Sequence, residues 1–338
     1  MILDKDKIIL LTGGAGYIGS HMAKLLTKKG YRVITLDDLS TGHKEAVKYG
    51  DLVIGDIADS ELLDNIFKHN RVAAVMHFAA SSIVGESVSN PSKYYNNNVV
   101  KTLSFLDSMI KNKVNNLIFS SSAAIFGEPD YLPIDEEHPK RPINPYGSSK
   151  LMIEQILEDF SSSYELNSIS LRYFNACGAD PDSEIGEMHK PETHLIPLLL
   201  QVASGRKEFI KIYGTNFDTN DGTCIRDYIH VMDICEAHFM SLQLLLGGYI
   251  SGANGFNLGN SKGFSVREVV DTAKGIVIKD KKYIKEKLTN RRPGDPAILI
   301  ADGRKAQNIL SWTPKYSELT VMINDAWKWE LANTSSGY

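Results

Sequence analysis

Tyr146 and Lys150 stand four residues apart in "NPYGSSK", a spacing that puts both side chains on one face of a helix. A phenol with a pKa of about 10 is a poor base near neutrality, but a neighbouring ammonium favours its phenolate. Such a pair could accept the proton of a substrate hydroxyl. Spacing alone does not identify it, because Tyr283 and Lys287 repeat it inside "KDKKYIKEKL". The surroundings distinguish the two. Asn144 and Pro145 supply the cap and first turn of a helix continuing through "LMIEQILEDF", and one loop upstream "FSSSA" ends a strand at Ser120, Ser121 and Ser122. Serine runs also occur as plain loop residues that satisfy backbone groups. Neither a glycine turn nor a serine run precedes Tyr283, whose mostly charged neighbours suit a solvated strand or helix edge.

A second chemical signal follows the first apolar run. In "TGGAGYIGS" the glycines Gly13, Gly16 and Gly19 let a turn pass close to a pyrophosphate that faces the N-terminus of a helix beginning near Tyr17. A tight turn alone would also account for the glycines. Asp37, 18 residues after Gly19, adds context: a carboxylate at the end of a second strand accepts both adenosine ribose hydroxyls and repels a 2′-phosphate, favouring NAD over NADP. "GDI", Gly55 to Ile57, could hold the adenine edge, and "HFAA", His77 to Ala80, offers small residues beside a nicotinamide ribose.

Positioning these groups requires a particular order of elements. Short β-branched runs from Lys7, Tyr31, Asp51, Val72, Asn115 and Ser168 alternate with helical segments beginning near Tyr17, Ser60, Pro91 and Pro145. Near-continuous apolar strands separated by helices predict a doubly wound, Rossmann-like parallel α/β sheet with ligands outside the carboxyl ends of its strands. After about Asn175 the rhythm is less regular, with strands in "EFIKIYG" and "TCIRDYIHV" and helices near Pro191, Val231, Ser265 and Ser317. A second, smaller α/β substrate-binding lobe is therefore expected. Residues 1–175 form the cofactor domain, with roughly 228–262 weaving back into it, and 176–227 with 263–338 form the substrate lobe.

Composition narrows the field. A chain of 338 residues, 43% apolar with a net charge of −4, reads as an ordinary soluble globular protein with no basic surplus for nucleic acid. The apolar run in "MILDKDKIILLTGG" is too short for a membrane span or secretory signal, so no membrane association and a cytoplasmic location are expected. Cys177, Cys224 and Cys235 lack paired spacing and read as small buried side chains. His189 with His194 lacks the carboxylate pattern of a helical zinc site, so no metal is expected.

Together "TGGAGYIGS", "FSSSA" and "YGSSK" resemble the extended short-chain dehydrogenase/reductase family. "VGESV", "YYNNNV", "LRYFNACGA", "DGTCIRDYIHVMD" and "RRPGDPA" are similar to the UDP-glucose 4-epimerases within it, and the likeness runs from Ile8 to Trp329. The resemblance implies a two-lobed homodimer that holds NAD tightly, binds a UDP-sugar and performs no net oxidation. It places the cofactor against Gly13, Gly16, Tyr17, Ile18, Gly19 and Asp37, with Asp56 and Ile57 at the adenine. Phe78, Ala79, Asn98 and Tyr173 line the cofactor cleft, and Lys150 meets the nicotinamide ribose. Tyr146 is the implied base and Ser122 its partner at the sugar 4-hydroxyl. Asn175, Leu195, Tyr213, Arg226, Arg292 and Asp295 fall where the family holds UDP; read by themselves, both arginines look like surface residues. In the implied mechanism Tyr146 takes the 4-hydroxyl proton while hydride leaves carbon 4, and the 4-keto sugar turns before hydride returns to its other face.

Some positions depart from the enterobacterial pattern: Ser82 replaces a lysine near the cofactor, His194 an asparagine and Phe126 a tyrosine. Leu299 replaces a bulky tyrosine against the sugar 2-position, which predicts room for an N-acetyl group. Other readings are a 4-epimerase of UDP-glucuronate or a UDP-pentose and a non-catalytic NAD sensor. Ala123 and Ala124 stand where a 4,6-dehydratase needs its acid and base. The sensor reading is disfavoured because Tyr146, Lys150 and Ser122 are all present.

Overall fold

The computed structural model describes residues 7–292 and 295–335. β1 (Ile8–Thr12) shows why the apolar runs are continuous. Its residues are all buried, but in alternation: Ile9 and Leu11 join a core containing Met22, Leu26 and Ile234, while Ile8 and Leu10 join another containing Phe105, Leu117 and Leu157. A strand covered on both faces has no side to leave polar. The chain continues through α1 (Tyr17–Lys28), β2 (Arg32–Asp37), β3 (Asp51–Ile54), α2 (Ser60–His69) and β4 (Val72–His77). Next come α3 (Val84–Ser89), α4 (Pro91–Tyr94), a π-helical stretch Tyr95–Val100, and α5 (Lys101–Lys111). The helix expected near Pro91 is thus one turn, a π segment and a longer helix. β5 (Asn116–Ser122), α6 (Pro145–Tyr164) and β6 (Asn167–Tyr173) follow. Asn144 caps α6 by accepting the Gly147 N–H at 2.8 Å, with Pro145 in the first turn.

β7 (Asn175–Cys177), α7 (Leu195–Ala203), β8 (Ile210–Tyr213), β9 (Ile225–His230) and α8 (Val231–Leu246) lead to β10 (Ala253–Leu258). The remainder is β11 (Gly263–Ser265), α9 (Val266–Val277), β12 (Glu286–Thr289), β13 (Ile298–Leu299), α10 (Arg304–Leu310) and α11 (Leu319–Ser335). One seven-stranded sheet is ordered β10-β6-β5-β4-β1-β2-β3, and every neighbouring pair in it is parallel. The chain winds outward in opposite directions from β1 and β4, which opens a crevice at their carboxyl ends. A smaller sheet is centred on β9, flanked by β11, β13 and β7, and β8 pairs with β12.

α7, α9 and α11 enclose a separate apolar core with Leu199, Val269, Met322 and Trp327. Contacts from α1 reach across to the chain after β7: Tyr17 donates to Gly178 O at 2.6 Å, and the buried Lys24 ammonium lies 2.6 Å from Asp180 and 2.9 Å from Asp182. The helix anticipated near Pro191 starts only at Leu195, since the preceding loop is folded around its own carboxylates. β7, β11 and β13 had no sequence signature, because two or three residues carry no readable period. The three cysteines are buried and free. Among the described residues no helix is long and apolar enough to cross a membrane.

Candidate active site

The glycine turn joins the ends of β1 and β4. Gly13 has φ +71°, and a Cβ there would lie 2.5 Å from Ala79 N and 2.8 Å from the Phe78 carbonyl carbon, so only glycine permits this approach. At Gly19 a Cβ would meet Gly13 O at 2.4 Å. Gly16 is the N-cap of α1 and offers no side-chain acceptor, so the first-turn amides of Tyr17 and Ile18 lack a side-chain cap. The Tyr17 side chain points to Gly178 instead, and Ile18 packs on the core; only their backbone serves the turn. Asp37 ends β2 at the rim, where its carboxylate accepts the Ala15 and Leu39 N–H groups, each at 2.9 Å, while burial raises its pKa. A bare helix N-terminus, a cradle that a Cβ would fill and a fixed carboxylate beyond it fit a dinucleotide.

Asp56 and Ile57 follow the carboxyl end of β3. Asp56 forms an ion pair with Lys101 at 2.5 Å, and Ile57 is buried in the core beside Leu63 and Ile66. Asn98 lies in the π segment and its amide is occupied within the protein. Its oxygen accepts the Ser81 N–H, and its nitrogen donates to Ser81 O and Ser149 Oγ, pinning the loop after β4 to α6. His77 is buried between Thr12 and Thr102, its pKa pushed down to about 3 by desolvation. Phe78 tilts against His238 at 4.9 Å.

The serine run divides its work by strand alternation. Ser120 bonds the Tyr173 hydroxyl through its side chain, and its carbonyl accepts from Lys150 Nζ at 2.7 Å. Ser121 points to the other face and donates to Glu154 at 2.7 Å. Ser122 Oγ accepts the Ala124 N–H at 3.1 Å and faces the Tyr146 phenol closely enough to favour its ionised form. Lys150 Nζ lies 5.9 Å from the Tyr146 ring centre and 4.8 Å from that of Phe119. Burial lowers the Lys150 pKa to about 7 despite the opposing pull of Glu154. For Tyr146 burial raises the pKa and the Ser122 hydroxyl lowers it. Tyr94 meets the Tyr146 ring edge-on, its own hydroxyl fixed to Ile83 O at 2.6 Å.

Glu154 escaped the sequence reading, although it lies another four residues beyond Lys150. Its partner Arg172 comes from β6 and donates to it at 2.9 and 2.8 Å, a pairing no local spacing discloses. Tyr283 is 71% exposed and Lys287 lies on β12, so that pair stands apart from the serine run.

The second lobe brings its residues onto the small sheet. Arg226 on β9 pairs in register with Leu299 on β13, and Asn175 on β7 is opposite Tyr228. The Arg226 guanidinium lies 3.6 Å from Asp295, and that of Arg292 sits 4.0 Å over the Tyr213 ring. Burial raises the pKa of the Cys224 thiol, a shift that Arg226 opposes and Asp295 reinforces. Pro293 and Gly294 of the same motif lie outside the described residues. Leu299 is half-buried and packs on the small cluster of Ile125, Phe126 and Ile134, as do Ala123 and Phe174, the chain neighbours of Ser122 and Asn175. Leu195 opens α7 behind His194, whose pKa is raised by the Glu187 carboxylate. Glu187, His189, Glu192 and His194 converge in the loop before α7, a grouping the sequence reading missed because it sought helical spacing.

Known proteins share this arrangement. Residues 9–250 match the NAD dependent epimerase/dehydratase family. The chain is 49% identical over 321 residues to the UDP-glucose 4-epimerase of Halalkalibacterium halodurans, covering 95% of each. The UDP-glucose 4-epimerase from Brucella ovis, solved in complex with NAD, superposes with a TM-score of 0.91 at 46% identity over 95% of this chain and 98% of that one. The UDP-Glc/GlcNAc 4-epimerase of Campylobacter jejuni gives 0.83 at 40% identity, over 96% and 99%. With the crevice, the glycine turn and the paired tyrosine and lysine all present, the chain belongs to the NAD dependent epimerase/dehydratase family, among its UDP-glucose 4-epimerases.

Proposed function

We propose that the cleft interconverts UDP-galactose and UDP-glucose at carbon 4 of the hexose, with Tyr146 as base, Lys150 as its activator and Ser122 as the group that orients the proton. The observation that carries this reading is the convergence of these three side chains at the carboxyl end of β5. The glycine turn, the Tyr17 and Ile18 amides and Asp37 would hold the adenosine and pyrophosphate of NAD, with Asp56 and Ile57 near the adenine. Phe78, Ala79, Asn98 and Tyr173 would shape the cleft, and Lys150 would meet the nicotinamide ribose. NAD bound there would supply the hydride acceptor and donor for carbon 4. Tyr146 receives the 4-hydroxyl proton and returns it after the ketone has turned. Asn175, Leu195, Tyr213, Arg226, Arg292 and Asp295 would hold the UDP, the arginines by charge-assisted bonds to pyrophosphate. Anchoring the nucleotide while leaving the sugar free to turn lets remote binding energy serve the chemistry. In this reading residues 1–175 and roughly 228–262 form the cofactor lobe, and 176–227 with 263–338 the substrate lobe.

Proton NMR of the purified chain with UDP-galactose and no added cofactor should show UDP-glucose forming. Tyr146→Phe should lower kcat by at least about 100-fold with NAD still bound. Near-full turnover by that variant would remove Tyr146 from the mechanism.

The case for a wider substrate range rests on Leu299, which stands in register with Arg226 and keeps part of its surface exposed. We propose that N-acetylhexosamine nucleotides also enter, in keeping with the name of the Campylobacter jejuni relative. Leu299→Tyr should suppress conversion of UDP-N-acetylgalactosamine at least about 10-fold more than that of UDP-galactose, the scale of one volume mismatch in a pocket. Equal losses on both would refute it. The assembly we propose is a homodimer, supported by Val100 and Leu103, one helical turn apart and 55% and 39% exposed, and by Met152 of α6 at 41%.

A further inference from the structure

The loop between residues 186 and 194 carries a constellation that the proposed chemistry does not use. Glu187, His189, Glu192 and His194 each present a ligand atom, and all four atoms lie within 4.8 Å of one another. His189 Nδ1 lies 2.8 Å from Glu187 Oε1 and 4.0 Å from Glu192 Oε2. His194 Nδ1 lies 2.6 Å from Glu187 Oε1 and 3.1 Å from Glu192 Oε1. Both carboxylates are withdrawn from solvent, at 5% and 4% side-chain exposure, and their ion-pair partners among the described residues are the two imidazoles alone.

We propose that these four side chains bind a divalent transition-metal cation of the zinc class. A tetrahedral ion with bonds of about 2.0–2.1 Å holds its ligand atoms about 3.4 Å apart, close to the separations already present. Two imidazoles with two carboxylates suit zinc and its first-row neighbours, whereas calcium and magnesium favour all-oxygen sites.

The scaffold around the ligands is fixed on several sides. Trp329 Nε1 donates to Glu187 O at 3.2 Å, the His43 ring bonds Met188 O at 2.8 Å, and Tyr17 meets the His189 ring edge-on. The Thr193 and His194 amides donate to Glu192 Oε1 at 2.7 and 2.8 Å, orienting that carboxylate with Oε2 toward His189. Such outer bonds are what hold ligands in register for a metal. His194 also immediately precedes Leu195, so the ion would fix the start of α7.

The test uses the NAD-loaded full chain, stripped with a chelator and titrated with Zn2+ against a chromophoric competitor. One equivalent per chain is expected, and Co2+ in its place should give visible bands of tetrahedral intensity. His189→Gln and Glu187→Gln should each weaken Zn2+ binding at least about 10-fold with bound NAD unchanged. Absence of stoichiometric uptake, a weak octahedral Co2+ spectrum, or uptake indifferent to both substitutions would overturn the proposal. Should either variant fail to fold, the Co2+ spectrum of the unaltered chain decides. Metal removal should also raise KM for UDP-galactose with little change in kcat. This kinetic arm rests on the proposed nucleotide role of Leu195 and the binding arm does not, so failure of the first alone points to that role.

Discussion

Lys150 is buried and Tyr146 half-buried, with Nζ 5.9 Å from the phenol ring centre. Burial favours the neutral form of each, lowering Lys150 to about 7 and raising Tyr146. Above that pH the pair is a neutral amine beside a neutral phenol, and moving one proton between them creates ammonium and phenolate without exchange with solvent. Below it the pair gains a second proton, leaving ammonium beside phenol, and Tyr146 can no longer accept one from substrate. The expected outcome is a kcat/KM that falls about tenfold per pH unit below about 7, as one required deprotonation dictates. A pH-rate profile flat down to pH 5.5 would contradict it. The pair was legible in the sequence because both members share one helix and a period of 3.6 residues connects them. Glu154, the carboxylate that opposes the shift, shares that period, yet its position depends on Arg172 of another strand. Likewise the bonds by which the Asn98 amide fastens Ser81 to Ser149, 51 residues distant in sequence, have no local signature.

Single elements carry the backbone geometry. The turn from β1 to α1 depends on Gly13, whose positive φ and contact with Ala79 leave no room for a side chain. Gly13→Ala should destabilise the fold by ~1–2 kcal/mol from the left-handed backbone alone, with more from the collision. Denaturant unfolding, together with the NAD carried by the purified variant, checks this; unchanged values for both would show that the turn relaxes freely. The main strands were readable because burial on both faces leaves an unbroken apolar run. β10 was not, since "ANGFNL" at the sheet edge mixes asparagine and glycine with apolar residues. Nor was the π segment before α5, whose extra residue per turn leaves no mark on composition. Leu299 and Arg226, from distant stretches of chain, become neighbours only through the pairing of β13 with β9.

At the scale of the whole molecule, association should respond to the face that carries Val100 and Leu103. A Leu103→Glu substitution places charge there, and sedimentation should shift from about twice 37.5 kDa toward a single chain. A variant that sediments like the unaltered protein would place the interface elsewhere. The separation of motifs into two lobes was visible as a change of rhythm after Asn175, but the contacts of α1 with Gly178 and Asp180 were not, because they join residues more than 150 positions apart. The seventh strand has a consequence for how the protein is made. β6 ends at Tyr173 and its outer partner β10 ends at Leu258, so 85 further residues must emerge before that edge is covered. At about 5–20 residues per second, a ribosome exposes a nearly complete sheet with one bare edge for roughly 4–17 s. A bare strand edge is a template for pairing with another chain, so a premature stop shortly after Tyr173 should yield an aggregation-prone fragment instead of a smaller working domain.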